Sequence, residues 1–202
     1  MDKPPDADVE TLNIERYLVN LNYRRQLIWA GQLACEILKG GNVDKTSLPI
    51  PGISGANFPL RIFTNLAFEA SCINCRAMFE FLGLKHNSND LVFYTRETKP
   101  AVGDDIQIEH FGGTPITPED IEREIREMGT SVTSKKIVLA FVAANKSVAH
   151  FTKTNYPHLD VTTMSVTCHI TNKLLADAVR KLGKELSPLP NTAITPPNTV
   201  VQ

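Results

Sequence analysis

The sequence lacks the long apolar run that a membrane-spanning helix requires. None of its apolar stretches reaches the roughly 18 residues that such a helix needs, although 42% of its 202 residues are hydrophobic. The first ten residues are polar and acidic, which is not the pattern of a secretory signal peptide. These absences predict a cytoplasmic protein that makes no contact with a membrane.

The sequence also lacks an excess of charge of either sign. Lys and Arg number 21 against 22 Asp and Glu, so the net charge is -1. A balanced chain has no general attraction for nucleic acid or anionic lipid. An RNA or nucleotide ligand would therefore have to bind a local patch of basic residues.

The histidines are too scattered for a carboxylate-bridged metal centre. Helical bundles that hold two metal ions use Glu-x-x-His pairs on two helices, and the sequence has none. No two of its five histidines lie three or four residues apart. We therefore expect no metal and no cofactor.

The four cysteines predict packing thiols rather than a redox or zinc site. Cys72 and Cys75 form a C-x-x-C pair, but no strand precedes it, as a thioredoxin-type motif would require. At roughly 1.5 Å per residue, Cys35 and Cys72 are predicted to lie about 15 Å apart in height, too far to share a metal. We expect all four thiols to be reduced in a cytosolic protein.

Four stretches with apolar residues at helical spacing predict four long helices. They cover about residues 9–39, 58–85, 137–153 and 160–185. A short helix from 118 to about 128 is predicted by Thr117 as N-cap and Pro118 at the first helical position. The segment 40–57, rich in glycine and proline, is long enough to cross the end of a bundle.

These elements predict an all-α fold: an up-and-down four-helix bundle with an additional short helix and a long cross-over segment. The domain is expected to span residues 9–186, between a disordered leader (1–8) and a disordered tail (187–202). Within 90–116, residues 91–95 and 106–108 are predicted either as short strands or as extended cover over the bundle.

The segment 137–152, IVLAFVAANKSVAHFT, is predicted to be the central helix, because its first eight residues are apolar on every side. The second helix has a predicted core stripe at helical spacing. Its members are Phe63, Leu66, Ala70, Ile73, Ala77 and Phe81.

Two polar groups are candidate site residues. Glu69, Arg76 and Glu80 are predicted to flank the apolar face of the second helix, where they form either a binding site or a structural ion pair. Asn145, Lys146 and His150 form the polar end of the central helix, and the histidine is suited to proton transfer. The alternative interpretation is that this histidine is a helix cap or a surface residue.

The segment from Asn145 to His150, NKSVAH, resembles the hallmark of the HEPN family (higher eukaryotes and prokaryotes nucleotide-binding). That hallmark is an Arg, a polar residue, a short spacer and a His on a late helix of a bundle. Asn145 stands in the place of the arginine here. The same ending also resembles bacterial helical proteins whose activity is not assigned.

Three candidate functions remain open, of which the first two follow from the resemblance and the third, a structural or interaction bundle unrelated to nucleic acid, does not. The first is a non-catalytic, HEPN-like binding or interaction module that forms a homodimer. The second is a metal-independent ribonuclease, with His150 as general acid/base and Lys146 in place of the arginine. A homodimer is also favoured by two apolar residues on the exposed side of the first helix, Val19 and Trp29. They lie away from the main apolar stripe of that helix, which is formed by Tyr17, Leu21, Ile28, Cys35 and Leu38.

Overall fold

The structure is a computed structural model that describes residues 12–41, 47–49, 57–87, 92–95, 105–143 and 160–190. The helices are α1 (Leu18–Lys39), α2 (Leu60–Phe81), α3 (Pro118–Glu127), α4 (Ser134–Ala143) and α5 (Val161–Lys181). The short strands are β1 (Ser47–Pro49), β2 (Asn57–Pro59), β3 (Leu84–Asn87) and β4 (Val92–Thr95). The predicted all-α class is confirmed, with two small hairpins added to the helices. None of the described helices is both long and apolar enough to cross a membrane.

Helices α1 and α2 pack together where both carry small residues. A Cβ atom added to Gly31 would lie 2.1 Å from the Cβ of Ser71, so only glycine fits there. Arg24 Nη1 donates to Asn74 Oδ1 at 3.0 Å. Arg24 precedes Gly31 on α1, whereas Asn74 follows Ser71 on α2. The two helices are therefore antiparallel, with their backbones close at Gly31.

Helix α5 is buried along most of its length. Thirteen of its residues are buried. They include Met164, Cys168 and Leu175, whose helical spacing in the sequence predicts a core stripe. Asp160 caps it, because its Oδ1 accepts from the Thr163 backbone N–H at 2.7 Å. Buried threonines bond within the helix, as when the Thr167 hydroxyl donates to the Thr163 carbonyl. Such internal bonds let polar side chains lie in the core.

The described part of α4 is buried as the sequence predicted. Ile137, Val138, Ala140, Phe141 and Val142 are all buried. The predicted continuation of this helix to residue 153 lies outside the described residues.

The predicted core stripe of α2 is only partly correct. Phe81 is buried and Ala77 packs against the core, but Leu66 is 57% exposed and Ile73 is 45% exposed. The rest of the core side of α2 is formed by other residues, namely Thr64, Ser71, Cys72, Cys75, Met78 and Phe79. Helix α2 is apolar on two faces, and the face with small residues is the one that can approach Gly31.

Two arginines of α1 are less exposed than their spacing predicts. Helical spacing places Arg24 and Arg25, with Glu15 and Arg16, on the side away from the apolar stripe of the first helix, but both arginines are partly buried. Arg25 Nη1 donates to the Ser187 carbonyl at 2.7 Å, while the Ser187 N–H donates to Asn22 Oδ1 at 2.8 Å. Ser187, the first residue of the predicted tail, is thereby attached to α1.

Two predictions in the middle of the chain are corrected by the hairpins. The second helix ends at Phe81, four residues earlier than predicted, because Gly83 turns the chain with a φ of 92° into β3. Strand β3 pairs antiparallel with β4, placing His86 opposite Phe93. Residues 92–95 form the predicted strand. Residues 106–108, predicted as a strand or as extended cover, do not form a strand: Gln107 has an extended backbone, and Ile108 begins a short 3₁₀ helix, Ile108–Phe111.

We expect Gly31→Ala to lower the melting temperature strongly, because the new methyl group would overlap Ser71. In the double variant Gly31→Ala/Ser71→Gly the methyl group has room, so much of the loss should be recovered relative to Ser71→Gly alone. Thermal unfolding followed by circular dichroism measures all four proteins. Equal losses with and without Ser71→Gly would contradict this packing.

Candidate functional site

The predicted site residues of α2 lie at its surface. Arg76 Nε donates to Glu80 Oε1 at 2.9 Å, one helical turn apart. The structural ion pair that the sequence allowed is therefore present, and a partly exposed pair of this kind contributes only a few tenths of a kcal/mol. Glu69 is exposed on the same side of the helix. A binding role for the three residues stays a prediction.

A third residue, His86, lies near the Arg76–Glu80 pair. It is not among the site residues predicted from the sequence. Its half-buried ring lies against Phe141 of α4, with the ring centroids 6.0 Å apart. Burial lowers the pKa of His86, and the positive charge of Arg76 lowers it further, while Glu80 opposes both. The lowered pKa favours the neutral imidazole, which can accept a proton from a group bound beside the ion pair.

The signal for His86 was present in the alternation of β3. Leu84 and His86 face inward while Lys85 is exposed, which is the period-two pattern of a strand. The pattern spans only four residues and follows directly on a long helix. The predicted second helix therefore includes Leu84 and Lys85 and ends just before His86.

The other predicted site residues, Asn145, Lys146 and His150, lie outside the described residues. We predict that Lys146 and His150 lie close to Glu69 and Arg76, where the central helix meets the second helix. The described part of α4 reaches the neighbourhood of Arg76, since Phe141 contacts His86.

A second candidate site is the exposed apolar line of α2, which we call the outer face. Its most exposed members are Ile62 (46%), Leu66 (57%) and Ile73 (45%), and they lie on the side of α2 opposite Ser71. On α1, Val19 (76%) and Tyr23 (60%) are exposed as well. The sequence analysis expected Val19 at the surface, and it is exposed. Trp29 is only partly buried in the structure, with its indole nitrogen shielded from solvent.

The four cysteines are buried and free. Cys75 Sγ and Cys168 Sγ are 3.9 Å apart, and the Cys72 thiol donates to Met164 Sδ at 3.3 Å. Burial raises the pKa of Cys35 to about 12, and the nearby Cys168 adds to the shift. Burial also raises the pKa of Cys72, with smaller contributions from Cys168 and Cys35.

The predicted height difference between Cys35 and Cys72 is too large. Because Gly31 lies opposite Ser71, Cys35 is level with a residue only about five positions from Cys72, or about 8 Å along the axis. The estimate assumed that the two helices end level at their shared connection. Within the described ranges, no group of three or more His, Cys, Asp or Glu is arranged to hold a metal ion.

Comparison with known proteins found no matching family model, no matching curated protein and no matching solved structure. A function for this chain can therefore be inferred only from its own residues.

We expect the four native thiols to react slowly with a water-soluble thiol reagent, because all four are buried and burial raises the pKa of the Cys35, Cys72 and Cys168 thiols. Full reaction should follow only on unfolding in denaturant. The matched control is Ile73→Cys, which places one thiol at an exposed position and should react at once. Rapid reaction of the unaltered folded protein would contradict the buried packing.

We expect His86 to make the fold less stable as the pH falls below about 6.5, the ordinary pKa of histidine. The unfolded chain takes up a proton there while the folded chain, whose His86 pKa is lowered, does not. Proton uptake by the unfolded state alone favours unfolding, so stability falls with pH through this window. His86→Gln should flatten the profile between about pH 6.5 and 5.

Urea unfolding at a series of pH values measures this profile. The carboxylates with lowered pKa values, such as Asp120 and Asp160, act at lower pH. A profile that is the same with and without His86 would contradict the prediction.

Proposed function

We propose that this chain is a HEPN-like helical interaction module that self-associates through the outer face of α2. The observation that carries the proposal is the exposure of three large apolar side chains along this face, Ile62, Leu66 and Ile73. Monomeric proteins rarely expose contiguous apolar patches beyond a few hundred Å², and larger patches mark interaction sites.

Spacing along α2 supports an interface between helices. Its outward line repeats at steps of four and three residues: Ile62, Leu66, Glu69, Ile73, Arg76 and Glu80. Steps of four and three are the pattern by which helices pack side by side over several turns.

The charges of α2 favour a second copy of the chain as the partner. Glu69 and Arg76 lie on either side of Ile73, at nearly equal distances along the helix. If two copies of α2 meet antiparallel about a two-fold axis near Ile73, Glu69 of each copy faces Arg76 of the other. Such an interface is self-complementary, as a symmetric dimer requires. Arg76, already bonded to Glu80, would then bridge two carboxylates.

The family part of the proposal is supported by the NKSVAH segment from Asn145 to His150 and by the helical fold. An RNA or nucleotide ligand, and roles for Lys146 and His150 in binding it, belong to the same resemblance. Asn145 in the place of the hallmark arginine favours binding over cleavage, because the group that would stabilise a phosphate is replaced by a neutral amide.

We expect the protein to be a dimer at tens of micromolar concentration by light scattering coupled to size exclusion. Leu66→Glu and Ile73→Glu should each give the monomer mass, because burying an unpaired carboxylate opposes association. Met128→Glu is the matched control, since Met128 is an exposed apolar residue beyond the end of α3 and should leave the dimer intact. A monomer mass for the unaltered protein at high micromolar concentration would refute self-association.

Charge reversal tests the antiparallel arrangement separately. Glu69→Arg or Arg76→Glu alone should weaken the dimer, because like charges would face each other across the axis. The double variant should restore it. Circular dichroism of each variant checks that the fold is retained, since Arg76→Glu also breaks the pair with Glu80. If neither single reversal weakens the dimer, self-association stands but the antiparallel arrangement of the two α2 helices is wrong.

A further inference from the structure

A cavity lies between the loop 112–117, helix α3 and the C-terminal end of α5. Its volume is about 780 Å³, within the range of roughly 300–1,000 Å³ typical of small-molecule sites. None of the residues proposed for self-association lines it. It is therefore independent of the outer face.

One side of the cavity is apolar. Its lining includes Pro115, Ile116, Leu174, Ala178 and Leu182. Ile116 and Leu174 also belong to the hydrophobic core, so this wall is anchored by the packing of the domain. Such a wall suits the hydrocarbon body of a ligand.

The charges that line the cavity leave one cation in excess. Arg123 Nη1 lies 2.8 Å from Asp120 Oδ1, and Arg180 Nη1 lies 2.7 Å from Asp177 Oδ1. Each carboxylate is thus neutralised by an arginine. Lys181 also lines the cavity, and among the described residues it has no ion-pair partner. The site therefore carries one positive charge that is not balanced within it.

We propose that this cavity binds a singly charged organic anion, a carboxylate on an apolar body. Lys181 pairs with the carboxylate, and the apolar wall covers the rest of the ligand. Arg180 can contribute as well, because its side chain is 67% exposed and an exposed ion pair costs little to exchange. Because Asp120 and Asp177 are each paired with an arginine, one positive charge is left for the ligand, which favours a single carboxylate over a free phosphate with close to two negative charges.

Amide NMR with three matched probes tests the proposal. 2-Naphthoate has the charge and the apolar body, acetate has only the charge, and 2-naphthylmethylammonium has the same body with the opposite charge. Naphthoate alone should shift the amide signals of Gly112, Gly113, Lys181 and Leu182. Lys181→Gln should weaken its binding about tenfold, the loss expected when one charged hydrogen bond is removed.

Two variants serve as controls. Lys181→Arg keeps the charge and should keep most of the affinity, whereas Lys135→Gln neutralises an exposed lysine of α4 that does not line the cavity and should change nothing. The proposal is overturned if the cationic probe binds as well as naphthoate, or if Lys181→Gln binds naphthoate like the unaltered protein. It is equally overturned if millimolar naphthoate shifts only amides of the outer face, or none.

Discussion

The close approach of α1 and α2 at Gly31 is the constraint on which the rest of the structure depends. Ser71 occupies the space that any side chain at residue 31 would need. The contact sets which side of α2 faces the core and which residues of α1 lie level with it. Cys35 and Cys72 are brought near each other by that register, and α5 packs against the pair through Cys168 and Ser165.

The same constraint explains why α2 carries an apolar surface. A helix that buries its small residues, Ser71 and Cys75, turns its opposite side outward, and that side contains Ile62, Leu66 and Ile73. Close packing inside the domain and exposed apolar area outside it are therefore two results of one choice of face. Self-association is proposed because it would remove this exposed area from water at no cost to the core.

Arg76, Glu80 and His86 lie where this outer face meets the β3–β4 hairpin. The ion pair borders the apolar line of α2, while the imidazole is packed inward against Phe141. A polar edge beside an apolar surface is the usual anatomy of a protein interface. The cavity near Lys181 has a different character, because its apolar wall belongs to the core and its excess charge to the last turn of α5.

The sequence by itself determined the class of the fold, the cap at Thr117 and the buried sides of α1 and α5. These features follow from local rules: helical spacing, capping chemistry and proline at a helix start. It also identified the Arg76–Glu80 pair, because residues four apart on a helix must be neighbours. It left the start of α5 open between Asp160 and Thr162, and the structure shows Asp160 as the cap. Only the tertiary structure decided which of two apolar faces of α2 is buried, since periodicity locates faces but not their partners. It alone placed His86 beside that pair, because residues on a helix and a strand meet through packing that no spacing encodes.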